Sequence, residues 1–225
     1  YRAFLAASEA RRQELARRLN QVPGATGRLV EMRKDLLRLM RDAPELAVVD
    51  LDLRHLCSSW FNRGFLVLQP INWQSPAHIL EKIIAYEAVH AIGDWDDLRR
   101  RLQPSDRRCY AFFHPRMPDD PIIFVEVALT SEIPNSIQAV LAEDREVQSP
   151  EALNTATFYS ISNCHAGLAG ISFGNALIKQ VVRLLAAELP QLNKFVTLSP
   201  IPGLAKWADD TPMDAKQAAK YLTQA

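Results

Sequence analysis

The stretch from Thr155 to Pro200 constrains the chain more than any other. It reads TATFYSIS, a glycine-bearing turn, GNALIKQVVRLLAAELP and then KFVTLSP. Two runs rich in β-branched and aromatic residues flank one amphipathic helix, in which Leu177, Ile178, Val181, Val182, Leu184 and Leu185 face inward. A strand, a crossover helix and a second strand in one sheet close with a single hand and leave the two strands parallel. The ligand crevice of such a unit lies beyond the carboxyl ends of its strands.

The preceding segments supply the rest of the sheet. RCYAFFHP (108–115) and DPIIFVEVALT (120–130) read as strands joined through RMPDD into a hairpin. With no crossover helix before strand 155–162, antiparallel pairing follows for these three. IPNSIQAVLAE (133–143) reads as a loop and a short helix. FLVLQPINW, from Phe65, is a short apolar stretch stopped by Pro70. SPAHILEKIIAYEAV (75–89) is a helix, with Ser75 as its cap and Pro76 in its first turn. DWDDLRRRL (94–102) is a short amphipathic helix, KFVTLSP (194–200) the fourth strand, and a last helix is expected from about Met213.

Upstream, the period changes. From the start to about Asn62, apolar residues (Leu15, Leu19, Leu29, Met32, Leu36, Leu39 and Met40 among them) recur mostly at three- and four-residue steps. QVPGATG (21–27) links two helices, DAPE (42–45) breaks the second, a third spans Val49 to Asn62, and Gly64 ends it. Arg11, Arg12, Arg17 and Arg18 read as solvated helix faces. The expected fold is therefore α+β: a helical bundle segment over residues 1–64, then a mixed sheet with flanking helices over 65–225.

Composition narrows the function classes. Lys+Arg and Asp+Glu both number 26, and this balance argues against a nucleic-acid binder built on a global basic field. No run approaches the ~18 apolar residues of a membrane span. Cys57, Cys109 and Cys164 are odd in number, far apart and without a CxxC pair, which argues against a disulfide framework or a zinc site and favours a reducing, cytoplasmic setting. The chain opens YRAFL without an initiator methionine and is expected to be partial.

Two constellations carry chemistry. In SNCHAGLAGISFGNALIKQVV (162–182), Gly167, Gly170 and Gly174 precede a helix, the arrangement in which backbone N–H groups face an anion. The spacing fits neither a Walker loop nor GxGxxG, and on glycine content alone the turn equally serves to pack helix on sheet. The second is Ser199 at a strand end, with Pro200 and Pro202 fixing the backbone after it. Alone, a Ser-Pro there more often satisfies local backbone than does chemistry.

The order of hairpin, third strand, glycine turn, helix and fourth strand resembles the acyl-CoA-binding core of GCN5-related N-acetyltransferases. Gly174-Asn175-Ala176 fits the GxA part of that family's pyrophosphate turn, whereas Ile171 stands where Gln or Arg is usual. More specifically, FYSIS (158–162), GLAGISFGNALIKQVV (167–182), LSPIPGLAKW (198–207) and SPAHILEKIIAYEAVH (75–90) resemble the malonyl-CoA decarboxylase family, as do LVEMRKDLLRLM and SSWFNRGFL in the helical front.

The resemblance implies that residues 1–64 are the C-terminal part of a helical, tetramer-forming domain and that 65–225 are an acetyltransferase-like catalytic domain truncated at its C-terminal end. It places malonyl-CoA binding on Ala169, Gly170, Ile171, Ser172, Phe173, Gly174 and Asn175, and catalysis on Ser199. The implied reaction is decarboxylation to acetyl-CoA, with no metal or separate cofactor, since CoA is part of the substrate. No nucleic-acid or membrane partner is implied, and the assembly is a homo-oligomer, a tetramer.

The family's second catalytic residue is a His in an HxxNGA-type motif that this chain lacks. None of His55, His78, His90, His114 and His165 sits in that context. His165, in the glycine turn, is open to a phosphate contact or a helix-entry role, and the other four read as structural or surface residues. Lys206 and Trp207 stay outside the set. An acyl-CoA-dependent N-acyltransferase and a non-catalytic CoA-binding or oligomerisation module remain the alternatives.

Overall fold

The computed structural model describes residues 10–201 together with 203, 206, 207 and 210. The helix expected from Met213 lies outside them. Among the described residues, three helices come first: α1 (Arg11–Leu19), α2 (Ala25–Leu39) and α3 (Ala47–Trp60). Gly24 precedes α2 at φ +74°, a left-handed turn that glycine enters without a Cβ clash. The sequence period overstates the packing here. Leu15, Leu19, Met32 and Leu39 are exposed, and the buried stripe of α2 is Thr26, Leu29, Val30 and a charged residue, Arg33.

Five strands follow among the described residues, in the order β1-β2-β3-β4-β5: β1 (Val67–Ile71), β2 (Arg107–His114), β3 (Met117–Thr130), β4 (Thr155–Asn163) and β5 (Lys194–Thr197). The first four are antiparallel neighbours, and β5 runs parallel to β4, as the crossover requires. The stretch after Phe65 is a strand that Pro70 does not stop. β1 is a sheet edge with ladder bonds on one side only, where a residue lacking N–H is tolerated. β5 is shorter than expected, ending at Thr197 rather than Pro200.

The flanking helices are α4 (Ala77–Tyr86), α5 (Trp95–Leu102), the short α6 (Ile137–Leu141) and the crossover α7 (Gly174–Glu188). Ser75 does not cap α4; its hydroxyl oxygen accepts the Asn72 N–H at 3.0 Å instead. Asp94 does cap α5, accepting the Asp97 N–H at 2.8 Å.

The sheet has two unlike faces. Tyr110, Phe112, Val125, Val127, Leu129 and Phe158 point to one side, where Leu177, Val181 and Leu185 of α7 and Cys57 and Phe61 around the end of α3 cover them. Leu177, Val181 and Leu185 are wholly buried, each worth about 1.5–3 kcal/mol.

The other face packs Cys109, Ala111, Phe113 and Phe124 against α4 and α5 but also buries charge. Glu126, wholly buried on β3, takes Arg101 Nη1 of α5 at 3.3 Å. Arg101 also donates to the His90 and Ala91 carbonyls at 2.8 and 3.1 Å and to Asp97. Glu87 accepts from the Ser160 hydroxyl at 2.7 Å, from the Ser162 hydroxyl at 3.2 Å and from the Val89 and His90 N–H groups.

A β-bulge brings β4 into this network. Glu126 pairs with Ser160 and Val127 with Phe158, so Tyr159 is the extra residue, and Tyr159 and Ser160 both turn to the charged face. Burial pushes the Glu126 carboxyl up to about 7, with the neighbouring Glu87 adding and Arg101 opposing.

Candidate active site

β4 and β5 part company halfway along. Their pairing runs from Thr155 with Lys194 to Phe158 with Thr197, and the last backbone bond, from the Leu198 N–H to the Phe158 carbonyl, is 2.9 Å. Beyond it β4 continues from Tyr159 to Asn163 along β3 alone. The edge of β4 that β5 would have covered opens there, at the carboxyl ends of both strands.

Ser199 is the first residue past that last bond. It is exposed and has no hydrogen-bond partner among the described residues. Pro200 follows it, also exposed, while Pro202 lies outside the described residues.

The glycine turn leaves β4 at the same end of the sheet. A 3₁₀ turn (Ala166–Leu168) leads through Ala169–Phe173 to the start of α7. Its carbonyls are held by the helical front. Arg33 Nη1 donates to the Gly167 and Ala169 carbonyls at 2.7 and 3.0 Å, and Arg54 Nη2 of α3 donates to the Gly170 carbonyl at 3.2 Å. Arg33 is 1% exposed, and its Nε pairs with Asp50 at 2.8 Å, so the buried guanidinium is compensated on both sides.

Two of the glycines are sterically required. A Cβ at Gly167 would stand 1.9 Å from the Val30 carbonyl oxygen, so no other residue lets α2 approach so closely. Gly170 has φ +78°, and a Cβ there would lie 3.3 Å from the Arg54 guanidinium. Gly174 differs: a Cβ would meet only ordinary contacts with Ile161 and Ile123, at 3.8 and 3.9 Å.

With the turn's carbonyls drawn towards the helices, the first bond of α7 is from the Leu177 N–H to the Phe173 carbonyl at 3.0 Å. The N–H groups of Gly174, Asn175 and Ala176 have no partner among the described residues, which leaves the positive end of the helix dipole uncovered. A cleft of about 250 Å³ lies beside this end, lined by Ser58, Asn62 and Arg63 from the helical front and by Ile171, Ser172 and Phe173 from the turn.

The histidines lie elsewhere. His165 is buried and borders a separate cleft of about 800 Å³ between α2 and the start of β3; its Nε2 is 3.8 Å from Asp120 Oδ1, and burial lowers its pKa. His114 Nε2 is 3.2 Å from the Trp60 carbonyl, and burial lowers the pKa of this imidazole as well. His90 lies beside Tyr159, with ring centroids 6.4 Å apart. His55 and His78 are exposed.

Arg33, Arg54 and Arg63 escaped the sequence reading. Arg33 left a signal: it falls three and four residues after Val30 and Leu29, on the apolar stripe where a lone cation needs a buried partner. Arg54 left none, since an exposed arginine on a helix is ordinary.

Comparison with known proteins identifies relatives over nearly the whole chain. Residues 64–225 match the malonyl-CoA decarboxylase C-terminal domain, and residues 1–61 match the malonyl-CoA decarboxylase N-terminal domain. The chain is 43% identical over 203 residues to the mitochondrial malonyl-CoA decarboxylase of Anser anser anser, covering 88% of this chain and 40% of the relative. It is 40% identical over 195 residues to that of Rattus norvegicus, covering 84% and 39%.

Among solved structures, malonyl-CoA decarboxylase from Agrobacterium vitis superposes with a TM-score of 0.88 at 58% identity, over 95% of this chain and 54% of that one. The enzyme from Rhodopseudomonas palustris gives 0.86 at 59%, over 94% and 52%. The chain thus spans about 40% of the length of these curated relatives and about half of the solved ones. The cytoplasmic placement expected from the cysteines is corrected, because the curated relatives are mitochondrial proteins. Buried free thiols speak only against an oxidising milieu and carry no information about which reducing compartment holds the chain.

Proposed function

The chain belongs to the malonyl-CoA decarboxylase family, and on that premise we propose that it serves the conversion of malonyl-CoA to acetyl-CoA and CO2 in the opening between β4 and β5. The observation that carries this reading is the parting of the two strands after Phe158 and Thr197, beside the unpaired N-terminus of α7.

The acyl-CoA phosphates sit against the turn from Ala169 through Gly170, Ile171, Ser172, Phe173 and Gly174 to Asn175. Free N–H groups and the helix dipole favour negative charge there. The absence of a side chain at Gly174, which packing does not demand, leaves the backbone open to a close ligand approach.

The thioester end reaches the strand opening. Cleavage of the C–C bond to the carboxylate releases CO2 and leaves the electron pair on C2, delocalised onto the thioester oxygen as an enolate. Donors aimed at that oxygen lower the barrier, and one proton delivered to C2 completes acetyl-CoA. Ser199 hydrogen-bonds the reacting malonyl group and relays this proton together with a histidine of the HxxNGA type, which is not among the five in this chain. No base adjoins Ser199 among the described residues, so its hydroxyl is a hydrogen-bonding and relay group rather than an acyl acceptor.

Residues 1–64 act as the associating part and 65–225 as the catalytic part of a homotetramer. Leu15, Leu51 and Val48, 57%, 67% and 55% exposed, give the helical front the apolar surface that association would cover.

In the full-length protein, Ser199→Ala is expected to slow CO2 release from malonyl-CoA by ~10²–10⁴-fold with the fold intact. Turnover close to wild type rejects the serine's role. A requirement for an acceptor amine before any CoA product appears rejects the decarboxylase reading in favour of an N-acyltransferase. Light scattering tests the assembly, and a monomer rejects the tetramer.

A further inference from the structure

We propose that Arg54 is a substrate-binding residue of this site, a cation supplied by the helical front to pair the diphosphate of the acyl-CoA. The proposal rests on the reading above that the glycine turn holds the CoA phosphates.

The turn brings no cation of its own. From Ala166 to Ile178 the sequence AGLAGISFGNALI contains no basic residue, and the first one, Lys179, is exposed on the second turn of α7. Unpaired N–H groups offer direction but only partial charge, whereas a diphosphate carries full negative charges. Arg54 is a cation that reaches the turn from outside it. Its guanidinium lies against Gly170, so close that a Cβ would come within 3.3 Å of Cζ, Nε and Nη2 alike.

One nitrogen, Nη2, is spent on the Gly170 carbonyl at 3.2 Å. The other N–H groups have no partner, and the side chain no carboxylate, among the described residues. The contrast with Arg33 is informative. Arg33 is buried and saturated by two carbonyls and Asp50, so it holds the turn; Arg54 is exposed and uses one bond to hold itself in place. A guanidinium fixed in this way has already lost much of its rotamer freedom, so less is lost when an anion arrives. Arg63 borders the adjoining cleft and adds a second cation there.

Calorimetry on the full-length protein separates the possibilities, using CoA, 3′-dephospho-CoA and pantetheine as probes. Arg54→Gln is expected to weaken CoA and dephospho-CoA by about tenfold or more, the scale of a charge-assisted phosphate bond, and to leave pantetheine unchanged. Arg54→Lys should recover part of the loss. An equal loss on pantetheine overturns the proposal, because Arg54 would then only shape the turn. So does unchanged CoA affinity, and a loss confined to CoA moves the contact to the ribose phosphate and overturns the assignment to the diphosphate. If the wild-type protein binds CoA no better than pantetheine, the phosphate-binding reading of the turn fails, a result distinct from the failure of Arg54 alone.

Discussion

The two faces of the sheet solve burial differently. Under α7, Leu177, Val181 and Leu185 meet an aromatic and β-branched surface, and stability there is a sum of small apolar contributions. Under α4 and α5, a smaller apolar cluster lies beside Glu87, Glu126, Arg101 and two serines, and there each charge is tolerable only while its partners stay in place. An apolar face loses stability in proportion to the atoms removed. A charged face fails by leaving a group without compensation, which costs more than the group had contributed.

Arg101→Met tests the contrast most sharply. At pH 8, where Glu126 is ionised, chemical denaturation is expected to show a loss of about 3–5 kcal/mol, because the buried carboxylate loses the cation that pairs it. At pH 5.5 the loss should be smaller, since Glu126 then keeps its proton. Leu177→Ala on the other face should cost about 3 kcal/mol at both pH values. Equal losses and equal pH behaviour in the two variants would erase the difference between the faces.

The third prediction concerns the pH slope itself. Burial holds the Glu126 carboxyl at about 7 in the fold, whereas an exposed glutamate in the unfolded chain titrates near 4.5. Between those values the native state binds more protons, so this group's contribution lowers stability as pH rises through the window and is constant outside it. Glu126→Gln should flatten that decline, and an unchanged slope would show that another group causes it. The smallest expected effect is that of Asp94→Ala, which removes the cap of α5 and should cost about 1 kcal/mol in the same assay. A larger loss would mean that the start of α5 supports the position of Arg101 rather than the helix alone.

The sequence made some of this legible and not the rest. Strands with uninterrupted β-type runs, such as Asp120 to Thr130, and the crossover helix came through because one period dominates each. β1 did not, because Pro70 reads as a stop until the strand is known to be an edge. The bulge at Tyr159 is equally hidden: FYSIS carries no glycine or proline at the extra residue, and only the register against β3 reveals it. Glu126 is visible as a charge inside IIFVEVALT, but its partners lie 25 and more residues away in sequence. For the site, family resemblance pointed to the turn and to Ser199, while the arginines that reach the turn come from helices more than 100 residues upstream.

The seat of Gly167 against Val30 has a consequence for how the chain is made. The Arg33 side chain and the carbonyl it binds are separated by 134 residues. At ~5–20 residues per second, a ribosome takes on the order of ten seconds to cover that interval. During that time α2 has emerged with a cation on its apolar stripe and nothing yet to receive it. The helices at the front of the chain therefore wait, and they complete their own packing only after the turn that they hold has been synthesised.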